Sequence, residues 1–243
     1  MKALDKALKD KTVLVFIDLE GTQFSHEMIE IGAHLVILNK DHTVKKILKG
    51  YSSYVKAHNR IGRVVTELTG ITEKLLQEKG RPFPEVFKQF RGYVGKYWNK
   101  CKFVTFGTHD LRIINMSVEN SPKDDELSEL AHYVNKNHFD ISSFLGQFIQ
   151  DQHGNPLSLS NNLKVFNQEF EGTKHSALAD AYNTALLYKA FIEHPEIVQE
   201  EYKKALTHVH HTPVPISKVI SKLFAGETVT PEDFDTAIKE SLQ

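Results

Sequence analysis

Apolar residues in the first quarter of the chain follow the patterns of β-strands. Residues 13–17 (Val-Leu-Val-Phe-Ile) form an apolar run rich in β-branched side chains, which is typical of a strand buried on both faces. Residues 28–38 and 44–55 also have strand character, and the polar residues 39–42 between them are typical of a turn. The pattern therefore predicts three strands joined as a meander.

From residue 64 onward the apolar residues recur at helical spacing. Residues 64–75 predict a helix that ends at Gly70, followed by a second helix capped by Thr72. Residues 82–98 carry a longer amphipathic pattern, which predicts another helix. The remaining predicted elements are strands at 103–106 and 139–141, a helix beginning near His109, a loop at 120–125, and helices at 142–150, 158–169 and 176–192.

The order of these elements predicts an α/β fold in which a mixed sheet is flanked by helices. We expect residues 1–194 to form this domain. Residues 195–243 differ in pattern and predict a small helical C-terminal appendage. One of its helices is predicted to begin at Thr230-Pro231, because Thr is a good N-cap and Pro suits the first helical position.

Composition narrows the classes of function. The 243 residues carry 30 basic and 31 acidic side chains, and the net charge of -1 is unlike that of a protein that coats duplex DNA. A nucleic-acid contact should therefore be confined to a pocket. The single Cys101 fits a reducing compartment, and no apolar run is long enough for a membrane span, so we expect a cytoplasmic protein without a membrane partner.

Four carboxylates stand where predicted strands or helices begin or end. Asp18 and Glu20 follow the first strand, and because they are two residues apart their side chains point to the same side. Asp110 follows the predicted strand at 103–106, and Asp180 lies about one turn into the helix that Ser176 is expected to cap. Converging acids favour a hard divalent cation. Solvated turn charges and a helix-terminus acid explain the same residues individually.

His175 precedes the helix that contains Asp180. A histidine with an ordinary pKa of about 6.5 suits proton transfer near neutral pH. A surface residue without a chemical role is the alternative interpretation of this position. The residues by themselves leave both interpretations open.

Taken in order, these residues resemble the DEDDh exonuclease superfamily, whose fold is ribonuclease-H-like. The resemblance covers about residues 12–193. The family's first motif, Asp-x-Glu-x-Thr, corresponds to residues 18–22, and its Leu-Thr-Gly-Ile-Thr segment corresponds to residues 68–72. Asp110 falls where the second motif has its Asp, and His175 and Asp180 have the spacing of the third motif. The manner of the motifs is similar to the branch containing the sporulation-inhibitor-like and histone-mRNA-trimming exonucleases.

The chain departs from the proofreading members of this superfamily at two motifs. Gly21 stands where those proteins usually have Thr, and Gly-Thr-His-Asp at residues 107–110 replaces Asn-x-x-Phe-Asp. These differences argue against a proofreading role and leave the metal-binding residues in place.

The resemblance implies a 3′→5′ exonuclease that acts on single-stranded nucleic-acid 3′ ends and releases 5′-mononucleotides. It implies that Asp18, Glu20, Asp110 and Asp180 hold two Mg²⁺ or Mn²⁺ ions and that His175 is the base. The residues expected in the pocket for the 3′-terminal nucleotide are Gly21, Thr22 and Ile71. Further candidates are Glu30 beside the metal ligands and Lys174 at a phosphate, whereas Phe106 is expected in the core.

A different class of function is a non-catalytic binding module on the same fold. Its signature would be the loss of a metal ligand or of the histidine, and neither loss is present. The sequence does not decide between RNA and DNA, or the oligomeric state. In the tail, His208, His210 and His211 are either a transition-metal site or an exposed His-rich turn.

Overall fold

The structure is a computed structural model and describes residues 2–207 and 212–242. Its strands are β1 Val13–Gly21, β2 Met28–Leu38, β3 Val44–Ile47, β4 Tyr51–Lys56, β5 Arg81–Pro82, β6 Cys101–Thr105 and β7 His138–Asp140. They form one seven-stranded sheet in the order β5-β4-β2-β1-β6-β7, and β3 also pairs with β2. The β1–β2, β2–β3 and β2–β4 pairs are antiparallel, whereas β4–β5, β1–β6 and β6–β7 are parallel, so the predicted mixed sheet is confirmed.

Helices cover both faces of this sheet. They are α1 Lys2–Leu8, α2 Arg63–Thr69, α3 Glu73–Lys79, α4 Phe83–Val94, α5 His109–Glu119, α6 Asp125–Lys136, α7 Ile141–Leu145, α8 Leu159–Val165, α9 Ala177–Glu193, α10 Pro195–Thr207, α11 Val214–Phe224 and α12 Pro231–Ser241, with a 3₁₀ helix at Gly95–Lys100. One buried core lies between the sheet and α4, α5 and α6. A second core lies on the opposite face, beneath α1, α7, α8, α9 and α10.

Several predicted boundaries need correction. The predicted strand at 44–55 is interrupted between β3 and β4, where Gly50 packs tightly: a Cβ atom there would lie 2.6 Å from Leu178 Cδ1. The predicted helix at 82–98 ends as an α-helix at Val94, because Gly95 adopts a left-handed conformation with φ 56°. The helices predicted at 142–150 and 158–169 are shorter than expected, and left-handed Asn167 (φ 55°) excludes continuation of α8.

Two helices were not predicted at all. α1 lies in a charged segment, yet Leu4 and Leu8 are buried on one side of it. α6 begins at Asp124, whose side chain accepts a hydrogen bond from the Leu127 N–H, and it buries residues at helical spacing. The signal for α6 was therefore present in the sequence as an N-cap followed by an amphipathic pattern.

The predicted helical appendage is confirmed as three helices. Val198 of α10 belongs to the second core, and the Tyr202 ring lies 5.3 Å from the Phe148 ring. α11 and α12 bury Val219 and Ala237. The boundary at residue 195 stays a prediction, and His208, His210 and His211 lie outside the described residues. Among the residues that are described, the search for helices long and apolar enough to cross a membrane finds none.

The N-terminus of α9 rests directly on β2 at Gly32. A Cβ atom at Gly32 would lie 2.1 Å from the carbonyl carbon of Ala177 and 2.1 Å from the backbone nitrogen of Leu178. No side chain fits such a gap without moving backbone. This contact fixes the start of α9 against the strand next to β1.

We expect Gly32→Ala to lower the free energy of unfolding by about 1–3 kcal/mol, because the added methyl group must push α9 away from the sheet. Thermal unfolding of the purified variant measures this loss. Gly92→Ala is the matched control: Gly92 is exposed in α4 with open space around it, so alanine there should stabilise the helix. Equal melting temperatures for Gly32→Ala and the wild type would contradict the packing described here.

Candidate active site

Asp18 and Glu20 lie on the central strand of the sheet. β1 pairs with β2 on one side and with β6 on the other, so its backbone is fixed along both edges. Asp18 stands opposite Gly32 of β2, and Glu20 stands opposite Glu30. Since both acids have the same parity along the strand, they project from the face that α9 covers.

Asp180 approaches these two residues from the first turn of α9. Because α9 begins over Gly32, its first turn lies above the part of β1 that carries Asp18. One carboxylate oxygen from each of Asp18, Glu20 and Asp180 lies within 4.8 Å of the others, and all three residues are partly buried. The structure thus brings together three of the four acids singled out in the sequence.

Asp110 stands next to this cluster rather than within it. It lies in the first turn of α5 and is 6 % exposed. Its Oδ1 accepts a hydrogen bond of 2.8 Å from the backbone N–H of Leu19, the residue between Asp18 and Glu20. This bond ties the start of α5 to the strand that carries the first two acids, and the Asp110 charge acts directly on Asp18.

Burial and mutual repulsion make these carboxylates weak acids. Burial, and after it the charges of Asp110 and Asp180, raises the pKa of Asp18 well above its ordinary value. Burial together with the Asp180 and Glu30 charges raises the pKa of Glu20 to about 8. Burial raises the pKa of Asp110 to about 7, although the Leu19 hydrogen bond opposes the shift. Such a group is held at neutral pH by protons or by cations.

The donor set fits divalent cations of the magnesium type. Carboxylate oxygens are the ligands that Mg²⁺ and Mn²⁺ prefer. The cluster contains three such side chains within 4.8 Å, with a fourth alongside. The residues present therefore fit the metal chemistry that the sequence suggested.

His175 lies at the edge of the cluster, in the segment before α9. It is exposed and has a positive φ of 61°, which histidine adopts infrequently. Burial raises the pKa of Asp180, whereas a hydrogen bond from the His175 backbone and the nearby His175 ring oppose the shift. The backbone of His175 is therefore anchored to a metal-ligand candidate while its ring faces solvent.

Glu30 has a structural role that the sequence did not reveal. Its Oε2 accepts a hydrogen bond of 3.1 Å from the Ala177 N–H, at the start of α9. Ser176 occupies the predicted N-cap position, but its side chain makes no capping bond. Glu30 caps the helix instead and is 5 % exposed, so it supports Asp180 through the helix.

The residues predicted for the nucleotide pocket lie beneath the surface. A Cβ atom at Gly21 would lie 2.9 Å from Ile113 Cδ1. Thr22 is 1 % exposed, and its hydroxyl accepts a hydrogen bond from the Glu27 N–H. Ile71 is 2 % exposed and packs in a small cluster with Ile29 and other apolar residues. Their contact with a nucleotide stays a prediction.

Two further expectations concerned Phe106 and Lys174. Phe106 packs against the second core, as expected. The Lys174 ammonium lies 5.9 Å from the centre of the Phe170 ring, and the residue is exposed. A contact between Lys174 and a phosphate stays a prediction.

The sequence reasoning missed a group of residues between β1 and β2 and at the start of α5. Phe24 is 81 % exposed, which is unusual for a large aromatic side chain. Next to it in sequence, His26 makes an edge-to-face ring contact with His109 at 5.2 Å, and the charge of Arg112 acts on His26. The available signal was an aromatic residue within the polar segment 22–27.

Comparison with known proteins gives one family match and many structural matches. A family model named RNase_T and described as an exonuclease matches residues 15–188. Among curated proteins, none matches the chain at a significant level.

The nuclease domain of 3′hExo, a DEDDh family member solved with rAMP, is 22 % identical; the TM-score is 0.60, covering 75 % of this chain and 92 % of that one. A 3′-exonuclease solved for 3′-end specific recognition of a histone mRNA stem-loop is 19 % identical; the TM-score is 0.60, covering 75 % and 82 %. Cell-death related nuclease 4 is 19 % identical; the TM-score is 0.59, covering 76 % and 64 %.

At these identities the structural matches establish the fold, while the family model covers most of the chain. The sheet, the carboxylate cluster and the family match agree with one another. The chain therefore belongs to the DEDDh exonuclease superfamily, has its ribonuclease-H-like fold, and is a nuclease.

Proposed function

We propose that this protein is a metal-dependent 3′→5′ exonuclease that hydrolyses the terminal phosphodiester of single-stranded RNA or DNA and releases 5′-mononucleotides. The observation that carries the proposal is the meeting of Asp18, Glu20 and Asp180 oxygens within 4.8 Å, beside buried Asp110. Four acids drawn from three distant parts of the chain raise one another's pKa, and nothing in a purely structural role requires that arrangement.

In this proposal, Asp18, Glu20, Asp110 and Asp180 hold two Mg²⁺ or Mn²⁺ ions. When bound, such a pair of ions supplies a water of lowered pKa and neutralises charge on the attacking and leaving oxygens. The protein's part is to fix the ligands: the Leu19 N–H orients Asp110, and the Glu30 cap holds the helix that carries Asp180.

His175 would accept the proton of the attacking water. The ring is exposed, so it reaches a substrate bound over the carboxylates, and its backbone is tied to Asp180. A base within hydrogen-bond reach of the water contributes about 10²–10⁴-fold to the rate. The exposed position also allows the ring to move with substrate and product.

Support for a nucleic-acid 3′ end comes from two sources. Structural neighbours include a nuclease domain bound to rAMP and a 3′-exonuclease solved for histone mRNA stem-loop recognition. In this chain, exposed Phe24 offers a stacking surface for a base, and Arg112 offers a charge for a phosphate. Because the net charge is -1, binding would depend on these local groups.

The direct test is a degradation assay on matched single-stranded RNA and DNA oligonucleotides labelled at the 5′ end. With Mn²⁺ or Mg²⁺ we expect a ladder that shortens one nucleotide at a time, and release of 5′-mononucleotides. EDTA should stop the reaction, and a modified 3′ terminus should delay it. Intact oligonucleotides after incubation with metal would overturn the proposal and favour a binding module.

His175→Asn should lower kcat by about 10²–10⁴-fold while leaving the melting temperature unchanged, because the ring is exposed and supplies only the proton transfer. Single-turnover rates on the same oligonucleotide measure the loss. His153→Asn, at an exposed loop position, is the matched control and should retain the wild-type rate. A His175→Asn variant as fast as the control would remove this residue from the mechanism.

A further inference from the structure

Lys102 is a buried lysine without an acidic partner in residues 2–207 and 212–242. It lies in β6 beside Leu14 of β1 and is 7 % exposed. Across those residues its ammonium group takes part in no hydrogen bond and no ion pair. Lysine is almost never buried unless it is paired, because removing an ammonium group from water is costly. The position therefore calls for a missing anion.

The surroundings of Lys102 are cationic. Burial lowers the pKa of Lys102, and the charges of Lys9 and Lys11 lower it further. Burial also lowers the pKa of His138, where the Lys102 charge acts in the same direction and the Asp140 charge in the opposite one. Three lysines and a histidine thus converge where the end of α1 meets β6 and β7.

The backbone that carries Lys9 and Lys11 is itself unusual. Lys9 and Asp10 both adopt the left-handed region, with φ of 49° and 61°, which residues other than glycine rarely occupy. The turn leaves the Lys11 ammonium 3.3 Å from the backbone oxygen of Asn99, close to the start of β6. Two consecutive strained residues that bring like charges together are typical of a functional site.

An open cavity of about 610 Å³ adjoins these groups. Lys6 and Lys9 line it from α1, and His138, Asp140 and Ser143 line it from the other side. The Asp140 oxygens already accept hydrogen bonds from the Gly107 N–H and from the backbone and hydroxyl of Ser143. The lysines of the cavity therefore remain available to a ligand.

We propose that Lys9, Lys11 and Lys102 form a second, cationic site that binds a phosphate group between α1, β6 and β7. A compact, multiply charged anion would offset the repulsion among the three ammonium groups and give Lys102 its partner. Leu14, the neighbour of Lys102, precedes Asp18 by four residues on β1, so this site lies about 13 Å along the strand from the carboxylates.

The phosphate has two possible sources of the same chemistry. It is either an internucleotide phosphate of a bound strand or a free phosphate compound. The binding itself does not depend on nuclease activity, so this inference stands or falls separately from the proposed function.

Calorimetric titration of the full chain with sodium pyrophosphate, at fixed NaCl and with EDTA present, tests the site. EDTA removes divalent ions, so the carboxylates cannot recruit pyrophosphate through a metal. We expect the wild type to bind, Lys102→Met to lose at least about tenfold in affinity, and the exposed-strand control Lys45→Met to bind like the wild type. If Lys102→Met does not fold, exposed Lys9→Gln takes its place, with the same expected loss.

A second arm identifies the source of the phosphate. Fluorescence anisotropy with a single-stranded oligonucleotide, again with EDTA, compares the wild type with Lys102→Met. A parallel loss of oligonucleotide affinity assigns the site to a bound strand, and unchanged oligonucleotide affinity assigns it to a free phosphate compound. Pyrophosphate that fails to bind the wild type, or that binds the wild type and Lys102→Met equally, overturns the inference.

Discussion

Asp18→Asn is expected to reduce phosphodiester hydrolysis by roughly 10³-fold or more while raising the melting temperature of the metal-free protein. The loss follows because an amide is a poor ligand for Mg²⁺ or Mn²⁺. The gain follows because Asp18 is buried among Asp110, Asp180 and Glu20, whose charges all raise its pKa. A neutral side chain of the same shape removes that repulsion.

Oligonucleotide degradation and thermal unfolding in EDTA measure the two effects on one preparation. Asp110→Asn is a second test, since its amide oxygen can still accept the Leu19 N–H and keep α5 in place. Asp235→Asn, an exposed position in α12, is the matched control and should change neither quantity. An Asp18→Asn variant that loses activity by unfolding, or that keeps full activity, would contradict the assignment.

The second large effect is a pH-dependent loss of stability in the metal-free protein. The folded-state pKa values of Glu20 and Asp110 are raised to about 8 and about 7, above the values of about 4 expected in the unfolded chain. Folding therefore favours their protonated forms, and this contribution to stability is complete below pH 4 and lost as the pH rises to about 8. In EDTA, the melting temperature should fall between pH 6.5 and 8.5.

Added Mn²⁺ should reverse this fall, because a cation bound only to the folded state stabilises it. At a hundred times its dissociation constant the gain is about 2.7 kcal/mol, which raises the melting temperature of a chain of this size by roughly 5–10 °C. The increase should be larger at pH 8.5 than at pH 6, and Asp18→Asn should reduce both the pH dependence and the response to Mn²⁺. A melting temperature insensitive to metal at pH 8.5 would argue against a cation site.

The parts of the site that could be predicted from sequence are those set by local geometry. Asp18 and Glu20 share a face because two residues on one strand must do so, and Asp180 follows a helix start by one turn. The structure confirms that their oxygens meet. The resemblance to known motifs added the expectation that distant segments come together.

The supporting contacts could not be predicted, because they join residues that are remote in sequence. The Asp110 side chain meets the Leu19 backbone across 91 positions, and Glu30 caps α9 across 147 positions. Ser176 was the natural local candidate for that cap, and tertiary packing replaced it with Glu30. In the same way, Lys102 reads as one residue of a strand until the sheet places it beside Lys9 and Lys11.

The contact between α9 and Gly32 also has a consequence for synthesis on the ribosome. Residue 18 emerges early, but its partner at position 180 follows only after most of the catalytic fold has been translated. A nascent chain that ends before α9 contains β1 and β2 yet lacks Asp180 and the helix that presents it. Cleavage competence therefore arises late in translation, so an unfinished polypeptide poses no threat to the message that encodes it.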